Sequence, residues 1–222
     1  LRKHTAELLQ SSAEMEVEWL SQSGSLDVSI TNLAGHAFPS GATAERQLWL
    51  DVILYDESGE VLFESGTLDE NGDIRDSFES HSTDPHSDPQ LAYYGQFLIQ
   101  DEVLDTLEDA GEKEKRKSEL DGLCAPFIED GGSVDGVKVV AFPWQANWQC
   151  NLMIRPDETV RHHFQIPEVV SGSYRLTVRL LFRAFPPYFL RKLEAEGGLD
   201  SAVKTRLPTV TVAEIERNTS EN

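Results

Sequence analysis

Apolar residues return at every second position through one segment after another, and that period constrains the fold more than any other feature of the chain. Met15, Val17 and Trp19 alternate with Glu14, Glu16 and Glu18, while Leu26, Val28 and Ile30 alternate with Asp27, Ser29 and Thr31. Successive side chains of a strand point to opposite faces, so each run reads as a strand with one buried face. The polar stretch from Ser21 to Ser25 joins them as a hairpin. The run from Arg46 to Asp56 differs. Leu48, Leu50, Val52 and Leu54 share one face, and Trp49, Ile53 and Tyr55 the other. A strand apolar on both sides is central in a sheet or covered by another segment.

Asp56 to Gly59 then turns the chain, and Glu60 to Glu64 returns as a strand. Strand character resumes at Val137 to Phe142, Trp148 to Ile154 and Thr159 to Ile166. The longest run is Ser173 to Phe185, with Tyr174, Leu176, Val178, Leu180 and Phe182 on one face and Arg175, Thr177, Arg179, Leu181 and Arg183 on the other. Pro186-Pro187 ends it, Tyr188 to Glu196 reads as a short helix with Pro near its start, and Val210 and Val212 mark a last strand. Some eight or nine short strands make the expected class mainly β: an antiparallel β-sandwich, immunoglobulin-like or jelly-roll-like, with short helices. The expected layout is an N-terminal helical segment over 1–12, a sandwich over 13–216 and a flexible tail over 217–222. The stretch at about 66–135, rich in Asp, Ser, His and Pro, reads as a long irregular insertion.

Charge narrows the partners. The formal net charge is −20 and the pI is about 4.5. A nucleic-acid binder needs Lys and Arg against phosphates, and an anionic membrane repels such a surface. No apolar run approaches the ~20 residues of a spanning helix, so no membrane-spanning segment is expected. The chain opens on Leu1 rather than Met, so its first residues leave export open. Cys124 and Cys150 make neither a zinc site nor a C-x-x-C pair. They either stay as buried thiols or pair. Pairing would close a loop of about 27 residues and stabilise by about 3.5 kcal/mol.

Catalytic signatures are missing: the chain has no Gly-rich phosphate loop, no G-x-S-x-G and no H-E-x-x-H. A non-catalytic role is the expectation. The segment from Asn32 to Gly41, with two glycines and Pro39 around His36, is a fixed loop between two strands, the kind of place where function resides. His36 either ligates a metal or haem iron or hydrogen-bonds backbone within the loop. Glu45 and Arg46 are placed to pin it as an ion pair. Asp69, Asn71 and Asp73 resemble the opening of a calcium loop, but the twelve-residue pattern fails, and they serve equally as turn residues. Calcium stays open on that ground. His81 and His86 either meet a metal or stand solvated. The Arg175, Arg179 and Arg183 row either pairs with local acids or presents a face to a partner's carboxylates.

Several of these segments resemble a known pattern. Asn32, then Gly35-His36-Ala37-Phe38-Pro39-Ser40-Gly41, then Arg46 and Leu48-Trp49-Leu50, resemble the N-x-x-G-H-x-F-P-T-G…R…W-L signature of the C-terminal β-sandwich region of exported multihaem c-type cytochromes. Ser40 stands where Thr is usual. Ser65-Gly66-Thr67-Leu68-Asp69 and the run from Leu181 to Leu190 are similar to segments that follow it there. The stretch from His4 to Leu9 is similar to the end of the preceding haem region. There is no C-x-x-C-H, so this chain binds no haem covalently.

The resemblance therefore implies a non-haem module that packs against a multihaem cytochrome in an electron-transfer complex, in the periplasm or outside the cell. Haem c would come from a neighbouring chain or upstream region. It further implies His4 as an axial ligand to a partner's haem, His36 and Arg46 near that haem, and the arginine row as a face toward its propionates. The alternatives are a metal-binding sandwich using His36 with His81 or His86, and a carbohydrate-binding one using Trp144 and Trp148.

Overall fold

The computed structural model describes residues 2–20, 23–40, 46–75, 88, 90–123, 137–140, 143–168, 172–200, 202–203 and 207–219. The chain begins with helix α1 (Arg2–Gln10), followed by β1 (Ala13–Leu20) and β2 (Ser25–Asn32). Next come β3 (Gln47–Tyr55), β4 (Val61–Ser65) and β5 (Tyr93–Asp101). Helices α2 (Glu102–Thr106) and α3 (Ala110–Leu123) precede β6 (Val137–Val140) and β7 (Trp148–Asn151). The rest is β8 (Thr159–Gln165), β9 (Tyr174–Arg183), α4 (Pro187–Ala195) and β10 (Val210–Thr219).

Two antiparallel sheets form a β-sandwich. The small sheet has the order β1-β2-β8, and the large one β10-β9-β3-β5-β6, with β4 beside β3 and β7 beside β5. The alternation read in the sequence is the packing. Met15, Leu26, Val28, Ile30 and Phe164 of the small sheet meet Leu48, Leu50, Val52, Leu54, Leu176, Val178, Leu180 and Phe182 of the large one in one core. Seven of the last eight are wholly buried, and Phe182 is 9% exposed. Each such side chain stabilises the fold by about 1.5–3 kcal/mol through burial.

The second face of β3 is covered at Trp49, while Ile53 and Tyr55 stay half-buried. Trp49 and Leu181 join Ile74, Tyr93, Ile99, Leu104 of α2 and Leu120 of α3 in a second core. The region 66–135, expected to be irregular, thus supplies the large sheet with an interior strand, β5, and a helical layer. Gly95 hides the strand from the sequence by breaking its apolar run. A Cβ there would come 2.8 Å from the Tyr93 hydroxyl and 3.0 Å from the backbone oxygen of Arg46, so a larger residue would have to displace the Tyr93 ring. The charged run from Gly111 to Asp121 lies in α3.

Asp101, at the end of β5, holds this layer. Its carboxylate accepts from Arg116 Nε at 2.7 Å and Nη2 at 3.1 Å, a bidentate pair, and from the Val103 N–H at 3.2 Å as the cap of α2. The Asn147 side chain exchanges two hydrogen bonds with the Asp101 backbone. At the C-terminus, residues 217–219, expected in a flexible tail, pair with β9 from Leu176 to Tyr174.

Gly66 shows what the S-G motif does. Its φ is +72°, and a Cβ would lie 1.9 Å from the Leu50 oxygen, so only glycine fits. Its carbonyl accepts from Trp49 Nε1 at 2.9 Å, and its N–H donates to Asp88 at 2.7 Å.

Candidate functional site

β2 runs straight into the loop, and Asn32 pins it. This side chain is wholly buried. Its Nδ2 donates to the carbonyls of His36 (2.9 Å), Ile154 (2.9 Å) and Arg155 (3.1 Å), and its Oδ1 accepts the Ala34 N–H at 2.9 Å. A buried amide so satisfied organises backbone rather than penalising burial. Farther along, Phe38 and Ile154 exchange backbone hydrogen bonds at 2.8 and 2.9 Å. The Phe38 ring stacks on Phe182 at 6.2 Å, and a cis peptide bond leads to Pro39.

With Phe38 and Pro39 inward, Leu33, Gly35 and His36 are exposed. Of the two roles expected for His36, a hydrogen bond to backbone within the loop is present, and the amide of Asn32 adds the larger share of the loop's bonds. The imidazole makes one contact of its own, Nδ1 to the Ala37 carbonyl at 3.1 Å. A carbonyl only accepts, so Nδ1 is the donor in this contact. Among the described residues, Nε2 has no partner.

Helix α1 completes a pocket here. The Leu33 N–H donates to the Ser12 carbonyl at 2.9 Å. Leu8, Leu9, Leu33, His36, Phe38, Arg46 and Phe182 are among the residues around a cavity of about 430 Å³. Leu8 is 68% and Leu33 52% exposed at its rim. Arg46 Nη1 donates to the Ser40 carbonyl, while Glu45, expected to pair with it, lies outside the described residues. His4 is not a lining residue. It sits exposed on α1 with Nδ1 3.1 Å from a Glu7 carboxylate oxygen.

The expected Asp69, Asn71 and Asp73 set has structural roles. Asp69 Oδ1 accepts the N–H groups of Asn71 and Asp73, each at 2.8 Å, which is turn chemistry. Asp73 is 1% exposed, accepts the Tyr188 N–H at 2.9 Å at the start of α4 and pairs with Arg191. Burial pushes its carboxyl above the ordinary range, against the pull of Arg191. His81 and His86 lie outside the described residues. Among the described residues, no three His, Cys, Asp or Glu side chains come together to hold a metal.

The arginine row is used inside the molecule. Arg183, expected on a partner face, is 5% exposed, lies 5.0 Å over the Trp49 ring and donates to Gln47 Oε1 and the Gly72 carbonyl. Arg179 Nε donates to Asp51 at 2.7 Å. Burial still raises the Asp51 carboxyl, with Arg179 opposing it. Arg175 stacks 4.1 Å over Tyr55 and keeps an exposed position. Local pairing prevails because β3 faces β9 residue for residue, Asp51 opposite Arg179 and Gln47 opposite Arg183.

Cys150 is 1% exposed and carries no free thiol, while Cys124 lies outside the described residues. Trp144 is 78% exposed. Trp148, expected beside it as an exposed sugar platform, instead packs on the second core with its indole nitrogen buried.

Asn32 stands inside the signature around His36, which is the one sequence signal for its role as the pin. Leu8 and Phe182, as pocket walls, belong to segments remote in the chain.

No family model matches the chain, and no curated protein matches it. Among solved structures, the chain is similar to a penta-haem cytochrome c552 from Thermochromatium tepidum, with TM-score 0.55 and 19% sequence identity. The match covers 97% of this chain and 42% of that chain. At this identity the likeness concerns the fold, and this chain spans less than half the length of that protein. Among the described residues, no helix is long and apolar enough to cross a membrane.

Proposed function

We propose that this chain is the non-haem β-sandwich portion of an exported multihaem electron-transfer assembly, non-catalytic itself, and that the end carrying α1 and the His36 loop packs against haem-bearing polypeptide. The observation that carries the reading is the pocket rim. Leu8 and Leu33 stand exposed on either side of a cavity whose loop is locked by a buried amide. Rigid backbone that displays apolar side chains to solvent is the anatomy of an interface core. The likeness over 97% of this chain to less than half of a penta-haem cytochrome supports the same reading. Haem c comes from the neighbour, since the chain has no C-x-x-C-H. A Cys150 that carries no free thiol accords with export.

The test is purification of the native protein from the cell envelope. It is expected to carry the visible spectrum of c-type haem, and unfolding without reductant is expected to expose no thiol to labelling. The double variant Leu8→Glu/Leu33→Glu should weaken association with the haem-bearing part at least tenfold while leaving the sandwich folded. A native protein without haem absorbance would sink the reading.

A further inference from the structure

We propose that Asn218 is an acceptor for an N-linked oligosaccharide, joined to the exported protein by an enzyme that draws on a lipid-linked sugar donor. The inference takes from the reading above only that the chain is exported. Asn218-Thr219-Ser220 is an N-x-S triplet whose middle residue is not proline, and of the asparagines in the chain only Asn218 heads such a triplet. The triplet matters where its amide can be reached, because the attached sugar is bulky and hydrophilic. Asn218 is exposed and lies opposite Arg175, one residue before the end of β10. β10 stands at the end of the strand order in the large sheet, next to β9. The last residues of an edge strand open at little cost, so an enzyme can draw the amide into its own site.

The groups around the amide suit the transfer. Glu216 precedes Asn218 by two positions, so both side chains leave the same face of the strand. Asn218 Nδ2 donates to Glu216 Oε1 at 3.3 Å. That carboxylate polarises the amide N–H and offers a cationic enzyme site a second point of grip. The Ser220 hydroxyl completes the triplet that such an enzyme reads. In the transfer, Nδ2 attacks the anomeric carbon of the lipid-linked oligosaccharide. A C–N bond forms, the C–O bond to the lipid phosphate breaks, and its electron pair leaves on that oxygen. Nδ2 gives one proton to a base of the transferase, and nothing is oxidised or reduced. The position also accords with the packing face. Val210 pairs with Phe182 and Asn218 with Arg175, so the stretch of β9 between Arg175 and Phe182 sets the amide about 23 Å from the pocket end of the sheet. The sugar therefore starts well away from Leu8 and Leu33 and hydrates the opposite end.

The experiment takes the native protein from the cell envelope, digests it and measures the mass of the peptide that contains Asn218. That peptide is expected to carry added hexose or hexosamine mass, with fragment spectra placing it on Asn218. Asn218→Gln and Ser220→Ala should each abolish the added mass, and Ser220→Thr should keep it. All three variants should retain c-type haem absorbance and association with the haem-bearing part, because the amide lies far from that face. A bare Asn218 in envelope protein would overturn the inference, as would sugar that persists in Ser220→Ala, and in both cases the haem spectrum would keep the packing reading standing. Sugar on Asn218 in native protein without haem absorbance would do the reverse, supporting the modification and removing the packing reading.

Discussion

The two faces of β3 and β9 solve the burial problem in opposite ways. Toward the small sheet, Leu48, Leu50, Val52, Leu54, Leu176, Val178 and Leu180 are all wholly buried and apolar. Toward the helical layer, the same two strands bury Gln47, Asp51, Thr177 and Arg183 beside Trp49 and Leu181. The first face gains from area alone, without direction, and tolerates neighbours of similar shape. The second needs each polar group met: Arg179 on Asp51, Arg183 on Gln47 and over Trp49. Such pairs cost desolvation and add specificity more than stability. The contrast shows why an acidic chain keeps a row of arginines: they hold a covered face in register, and only Arg175 has an exposed position.

Breaking the apolar face should have the largest effect. Leu180→Ala is expected to lose about 2–5 kcal/mol in denaturant unfolding, as for other large-to-small core changes. A loss within error would mean that this face is not the main core. Breaking the polar face should cost less. Asp51→Ala leaves Arg179 half-buried without its carboxylate and should cost about 1–3 kcal/mol. The double change Asp51→Leu/Arg179→Met should recover most of that loss, because an apolar pair can replace an ion pair without penalty. If the double variant is as unstable as the single one, the ion pair itself stabilises the fold.

The smallest effect is in pH dependence, and its sign differs between two carboxylates of the polar side. Burial lifts Asp51 above its ordinary 3.8, so the folded state holds the proton more tightly than the unfolded one. Its contribution to stability is fully present below 3.8 and declines as pH rises through the raised folded value. Asp101 is opposite. Burial alone would raise it, but the Arg116 guanidinium and the N–H groups of α2 outweigh this and hold it below 3.8. Its contribution is present above 3.8 and is lost as pH falls through the lowered folded value. In a series of unfolding midpoints against pH, Asp51→Asn should flatten the decline on the higher side of 3.8, and Asp101→Asn the decline below it. Identical profiles for the two variants would contradict the difference in their surroundings.

The apolar face was legible in the amino-acid order because a strand's period of two is local: Leu48 to Leu54 and Leu176 to Leu180 declare one side without reference to anything else. The loop around His36 was legible too, from its glycines and proline and from Asn32 ahead of it. The arginine row was visible as a row, yet its partners were not, since Asp51 lies 128 positions from Arg179 and meets it only through strand register. β5 escaped notice because Gly95 interrupts its apolar run, and the space it leaves is filled by the Tyr93 ring, a contact that local pattern does not declare. The same holds for the pocket. Helical or turn preference in residues 4–12 and 32–41 is written in their own chemistry. That Leu8, Leu33, Arg46 and Phe182 line one cavity depends on how two sheets and a helix pack, and packing is a property of the whole chain rather than of any segment.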